Sequence, residues 1–387
     1  MIIHVILLAF QLIQPDTTFT VDNKLDIPRK EVMSISMADL EKMLGEKFDT
    51  SNLQLKESKS SQTVQTQWID LDQDGYFEEL LFLADVKKHK KKMYKIFLNV
   101  KEDKAIHTDI KSFVRFVPER IDDIAWENDK VAFRTYGPEA QRLVDENQSG
   151  GTLTSGIDAW LKRVNYPIID KWYQKYVDGG SYHTDNGEGY DPYHVGNSRG
   201  IGGAGIWIND SLYVSKNFTE YKIIANGPLR SVFELTYAPW KAGNATIIET
   251  KRISIDVGSQ IYHMEEYLKS DNSIPNLTTG ITLHDGSGEV NSDHKAGWIS
   301  YWETIDDAKL GTGIIANPKD IIQHLEIRKK AKDQSHIYLV LRPTEKISYY
   351  ADFGWEKAGE FSSATDWNRY LNDFSKKLET PLVITFN

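Results

Sequence analysis

A stretch that combines histidine, tyrosine and arginine with carboxylates holds the parts for proton transfer beside a bound anion. Residues 179–207 read GGSYHTDNGEGYDPYHVGNSRGIGGAGIW. His183 and His194 titrate near neutral pH, so each can give or take a proton. Tyr190 and Tyr193 lie between them. A tyrosine can do the same work where a nearby cation lowers its pKa. Arg199 can grip a carboxylate through a forked pair of hydrogen bonds. These five residues are the catalytic candidates. An alternative use of the same stretch is a divalent metal held by Asp185, Glu188, Asp191 and His194. No tight metal-binding spacing supports it, and no cofactor motif occurs in the chain.

Nine of the chain's 26 glycines lie between Gly179 and Gly205. Neither helix nor strand interior favours that density, because glycine loses conformational entropy and packs no side chain. A long, irregular loop is therefore expected, and long ordered loops rich in titratable groups tend to carry function.

Substrate-binding candidates outside the catalytic five are Arg134, Lys162, Glu188, His284, Trp298, Trp302 and Trp355. Arg134 and Lys162 could neutralise an anion, although structural ion pairs explain such residues equally well. Trp298 and Trp302, if their stretch is a strand, share one face. They could form a sugar platform or a packed core. A separate run, Asp70-Leu-Asp72-Gln-Asp74-Gly75, opens like a calcium loop, with carboxylates at alternate positions around a glycine turn. Position twelve is Leu81, where an EF-hand needs a glutamate, so a polar turn between strands competes with that reading.

The elements that must position these groups are mainly strands. From Ser211 to Leu283, long β-type segments alternate with short turns such as Asn226-Gly-Pro and Val257-Gly-Ser. More follow to Phe386. The expected fold is all-β dominated: a large antiparallel β-sandwich of the supersandwich type seen in galactose mutarotases. Residues 17–387 would form one such domain, with a helical insert over 155–177 capped by Thr154 or Ser155. Short helices are also expected after Ser36 and over 363–376. The run Lys87–Lys92 reads as a solvated hairpin turn.

Composition narrows the function. The chain has 387 residues, 40% hydrophobic and 26% charged, enough for a large core. A net charge of −10 argues against a nucleic-acid partner. The absence of cysteine excludes disulfides, thiolate metal sites and a cysteine nucleophile. Aromatics reach 11%, a level common in carbohydrate-active β proteins. The apolar run from Ile2 to Ile13 is too short to span a membrane. It reads as an export signal over residues 1–16, with a periplasmic destination, or else as a first strand.

Three runs carry a family resemblance. They are TSGIDAWLKRV from Thr154, YPIIDKWY from Tyr166, and SYHTDNGEGYDPYHVG from Ser181. With the entry DNKLDIPRK at Asp22 and the Asp70–Glu79 turn, the chain resembles a family long known only as a domain of unknown function. That family occurs in polysaccharide-utilisation clusters of marine bacteria and is associated with an ulvan-oligosaccharide dehydratase. The resemblance implies loss of water from a non-reducing-end glucuronate or iduronate joined to sulfated rhamnose, giving a 4,5-unsaturated uronate. It implies an anionic sulfated oligosaccharide as partner, with no nucleic acid and no membrane. The reaction needs a neutralised carboxylate, a base for H5 and an acid for the 4-hydroxyl. A polysaccharide lyase would run the same elimination with a sugar as leaving group. A non-catalytic glycan-binding protein and a glycoside hydrolase are the other readings.

Overall fold

The computed structural model describes residues 17–45, 48–98, 110–331 and 333–387. The expected export signal lies outside the described residues. The expected β-rich, antiparallel architecture is observed. A nine-stranded sheet is centred on Ala245–Asp256, Ile261–Ser270, Lys346–Trp355 and Ala308–Ala316. The strand Ala245–Asp256 shows why: Ala245, Ile247, Ile253 and Ile255, on one face, are buried and the residues between them are more open. A five-stranded sheet, including Ile201–Ile208, Leu277–Thr282 and His336–Leu341, shares one apolar core with it. Tyr262, Leu339, Tyr349 and Phe353 belong to that core.

Another five-stranded sheet joins the same core through Trp126, Phe133, Ala159 and Leu161. Its strands run Phe113–Val117, Asp123–Glu127, Ala132–Thr135, Asp158–Lys162 and Gly189–Tyr190. The first and last parts of the chain form two further small sheets, of four and three strands, around a separate cluster of Phe19, Phe82 and Tyr94. The last strand, Val383–Phe386, pairs with the first, Thr17–Asp22.

Four α-helices are present among the described residues: α1, Met37–Leu44; α2, Pro138–Asp145; α3, Ile169–Val177; and α4, Ala364–Glu379. Ser36 caps α1 and Ser363 caps α4, as their serine-led sequences suggest. The expected helix over 155–177 is corrected. Its first half, Asp158–Lys162, is a wholly buried strand. Ala159 and Leu161 enter the main core while Trp160 packs under α3, a period of two rather than 3.6. Only the part after Pro167 is helical. Its start is held by Glu127, whose carboxylate accepts the backbone N–H groups of Ile168 and Ile169 at 2.8–3.0 Å.

The glycine-rich stretch also departs from expectation. Its end is not loop, because Ile201–Ile208 is a strand with a register shift between Ile201 and Gly203. Close approach explains the glycines. Gly202 has φ +95°, and a Cβ there would lie 2.4 Å from the Tyr262 hydroxyl.

Candidate functional site

Pro192 and His194 border an open cavity of about 470 Å³. Pro192, His194, His284, Glu303, Lys329 and Lys330 are among its lining residues. His194 comes from the loop, His284 from the turn after Leu277–Thr282, and Glu303 from the strand Trp298–Ile305. The lysines follow the strand Ile321–Ile327. Segments distant in sequence thus meet at one concavity.

His194 is half-exposed, and its Nε2 lies 2.9 Å from Oδ2 of Asp333, a largely buried side chain. A carboxylate can only accept, so Nε2 is the donor to Asp333, and Nδ1 faces no hydrogen-bond partner among the described residues. This is the arrangement of an oriented general base. His284 is different. Its Nδ1 donates to Glu303 at 2.8 Å, and its Nε2 lies 3.1 Å from the backbone carbonyl oxygen of His194. Both ring nitrogens therefore face acceptors, which favours the imidazolium. Burial opposes that charge, but the Glu303 hydrogen bond and charge outweigh it, and the pKa rises above its ordinary value. His284 is a positioning residue that ties down the backbone of His194. Its φ of +35°, rare outside glycine, is held by these contacts. Tyr193 packs its ring edge-on against His284 at 4.6 Å.

Lys329 and Lys330 have no ion-pair partner among the described residues. The lining also carries the carboxylates Asp285 and Glu303, so the two lysines are the cavity's handles for an anion. Asp333, Glu303, Lys329 and Lys330 are the site residues that sequence reasoning misses. Their only local signal is the basic run Arg328–Lys330 and an acid beside Trp302, neither of which is distinctive.

The structure gathers His194 and His284 at this cavity, packs Tyr193 behind His284, and places the other candidates elsewhere. His183 is exposed and lines no part of it; its Nδ1 donates to the Asp191 carbonyl at 2.8 Å. Tyr190 donates to Asp306 at 2.7 Å and packs near Trp355, 6.0 Å between ring centres. The tyrosine pKa values are raised rather than lowered. Burial, then Asp306, raises that of Tyr190, and burial, then Glu303, raises that of Tyr193.

Arg199 is buried, with Nη1 donating to Ser155 at 3.0 Å, and has no carboxylate partner among the described residues. It lines no part of this cavity. Arg134 is corrected likewise: it sits in a closed network, bonded to Asp158 at 2.7 Å and Asp191 at 2.6 Å, with Tyr182 at 3.2 Å. Lys162 is fully buried, its Nζ held by Glu127 at 2.7 Å and by two backbone carbonyls. Trp298 and Trp302 do share a face, but α4 covers it, so they are core rather than a sugar platform. Trp355 is buried under Arg163.

The metal set is not assembled either. Asp185 pairs with Arg163, Asp191 with Arg134 and His194 with Asp333. Glu188 is held by Tyr166, Lys171 and Trp172. The carboxylates that do converge are Asp70, Asp72, Asp74 and Glu78, whose oxygens lie within 4.8 Å of one another on an exposed turn.

The sheets and the cavity define a β-sandwich protein with a histidine-bearing, lysine-rimmed surface site. The fold resembles two solved structures from Enterococcus faecalis. One is an alpha-mannosidase of strain V583 (TM-score 0.54, 10% identity, 96% of this chain and 46% of that one). The other is a protein in glycosyl hydrolase family 38 (TM-score 0.52, 10% identity, 96% and 47%). This chain spans about half the length of each, and at that identity the likeness concerns fold alone.

The family model described as a domain of unknown function, DUF4861, matches residues 21–384. "Uncharacterized protein P7" of Formosa agariphila is 43% identical over 373 residues, covering 95% of this chain and 92% of that one. The chain belongs to the DUF4861 family.

Proposed function

We propose that the protein is a carbohydrate-processing enzyme, a hydro-lyase that removes water from the uronate end of an anionic, sulfated oligosaccharide. The observation that carries this reading is the cavity that puts an oriented, half-exposed imidazole, His194, beside two lysines with no ion-pair partner among the described residues. Lys329 or Lys330 would neutralise the uronate carboxylate, which makes H5 more acidic. His194 Nδ1 would take H5. In glucuronate H5 and the 4-hydroxyl lie on one ring face, so the same imidazolium could return the proton to O4. The C4–O4 bond then breaks with its electron pair, water leaves, and a C4–C5 double bond forms. The fold likeness to two glycoside-processing proteins agrees with a glycan substrate.

Hydrolysis by two free carboxylates fits the cavity less well, because Glu303 is engaged by His284. Incubation with saturated, glucuronate-ended oligosaccharides tests the reading. Ultraviolet absorbance of a conjugated enoate with loss of one water from the mass is expected. Chain shortening with the same absorbance would make it a polysaccharide lyase, and shortening without absorbance a hydrolase. Export to the periplasm is proposed with it.

A further inference from the structure

A second concavity, of about 520 Å³, is lined in part by Thr184, Asn186 and Gly187 of the glycine-rich stretch. Tyr166, Lys171, Trp172, Lys175 and Asn186 contribute to its lining. Its hub is Glu188, which accepts from the Tyr166 hydroxyl, the Lys171 ammonium and the Trp172 indole N–H, the last at 3.3 Å. Those donors hold the carboxylate below its ordinary pKa against the effect of burial. Glu188 is thereby fully engaged, and its effect is to fix an aromatic ring and a cation at the wall. Tyr166 remains 37% exposed, with Lys171 Nζ 6.0 Å from its ring centre. Lys175 has no ion-pair partner among the described residues. The Asn186 amide donates to Thr184 O at 2.9 Å, which leaves its oxygen for a hydroxyl. A ring face, an unpaired cation and a free amide oxygen are the recognition chemistry of an anionic sugar.

The two concavities are neighbours along an extended segment. Glu188 and Gly189 line the second and Pro192 lines the first. Three residues of extended chain span at most about 10 Å. The ground between is held rigid: Tyr190, in the strand Gly189–Tyr190, bonds Asp306, which directly follows Thr304 and Ile305 of the His194 cavity. Arg163 stacks over Trp355 beside it, 5.1 Å from the ring.

We infer that the Tyr166–Lys171–Lys175 concavity is a second subsite, which holds an internal, anionic sugar of the same oligosaccharide whose uronate end occupies the His194 cavity. This rests on the reading above for the identity of the end group. Tyr166 supplies the stacking face and Lys175 the charge for a sulfate or carboxylate. The subsite makes affinity depend on chain length, which a single-sugar site would not do.

The test is a titration of the full chain with a glucuronate-ended sulfated tetrasaccharide and with glucuronic acid alone. Binding is followed calorimetrically and through the Trp172 indole resonance, assigned with Trp172→Phe. The tetrasaccharide is expected to shift that resonance and the monosaccharide to leave it in place. Tyr166→Ala and Lys175→Ala, both at exposed or half-buried positions, should each weaken the tetrasaccharide about tenfold and so erase most of the gain from chain length. A Trp172 signal unmoved by a tetrasaccharide that still binds and reacts would overturn the second subsite and leave the dehydratase reading standing. A shifted signal with no enoate formed would sustain the subsite and sink the reaction. No binding of either sugar would sink both.

Discussion

Two polar clusters in this molecule both set cationic side chains beside carboxylates and end in opposite states. Around Arg134, three aspartates, two arginines and Tyr136, Tyr173 and Tyr182 are sealed between a sheet and α3, and nearly every hydrogen-bonding group is used. Around His194, a histidine pair, three acids and two lysines sit at an open cavity, with Nδ1 of His194 and both ammonium groups left without a partner among the described residues. The first cluster resembles an active site in composition but has no room for a reactant. What separates structure from chemistry here is unspent bonding capacity next to solvent, since a group already saturated by its neighbours gains nothing from a substrate.

That contrast can be broken by substitution, and the largest effect belongs to His194→Ala. Enoate formation should fall by about 10²–10⁴-fold, while the midpoint of thermal unfolding stays close to that of the parent, because the side chain is half-exposed. A large loss of stability together with activity would place His194 in the structural class. Arg134→Met should do the reverse. It leaves Asp158 and Asp191 buried without their cation, and denaturant titration should show a loss of about 3–5 kcal/mol. A folded, stable Arg134→Met protein with no activity would instead make Arg134 part of the site.

Asp333→Asn preserves shape but can present an amide N–H to the ring, which favours the wrong tautomer of His194. A loss in kcat of about 100-fold, with KM little changed, is expected. Equal activity across the pH range would show that Asp333 does not orient the base. The smallest effect concerns His284. Its folded pKa lies above the ordinary value of 6.5, so the folded state binds more protons there. The stabilisation it brings is fully present below about 6.5 and fades as pH rises through the raised value. Unfolding free energy measured between pH 6 and pH 9 should fall more steeply for the parent than for His284→Gln. Parallel curves would mean that the ring is neutral throughout.

The fold class was legible because strand periodicity is local. The alternating pattern of Ala245–Asp256 and the turn at Asn226-Gly-Pro speak for themselves. Asp158–Lys162 was not legible as a strand. It is buried on both faces, so the polar-apolar alternation that marks a half-exposed strand is missing, and its charged ends find partners only across the sheet. The glycines of Ile201–Ile208 misled for a related reason: their role is to admit Tyr262 and neighbouring backbone, which come from distant sequence. At the site, His194, Tyr193 and His284 could be named from the chain, whereas Asp333, Glu303 and the lysine pair could not.

The sequence by itself determined a β-rich chain of a recognisable family and a stretch rich in proton-transfer groups. Only the tertiary structure decided which of those groups remain available. His183 and His194 are eleven residues apart with the same chemistry. The difference is that His194 faces Asp333 and an open cavity lined by two lysines with no ion-pair partner among the described residues, while His183 lies outside it. Residue type is a local property, but pairing and solvent access depend on which distant segments the fold brings alongside, and those set the free energy of every charge in the site.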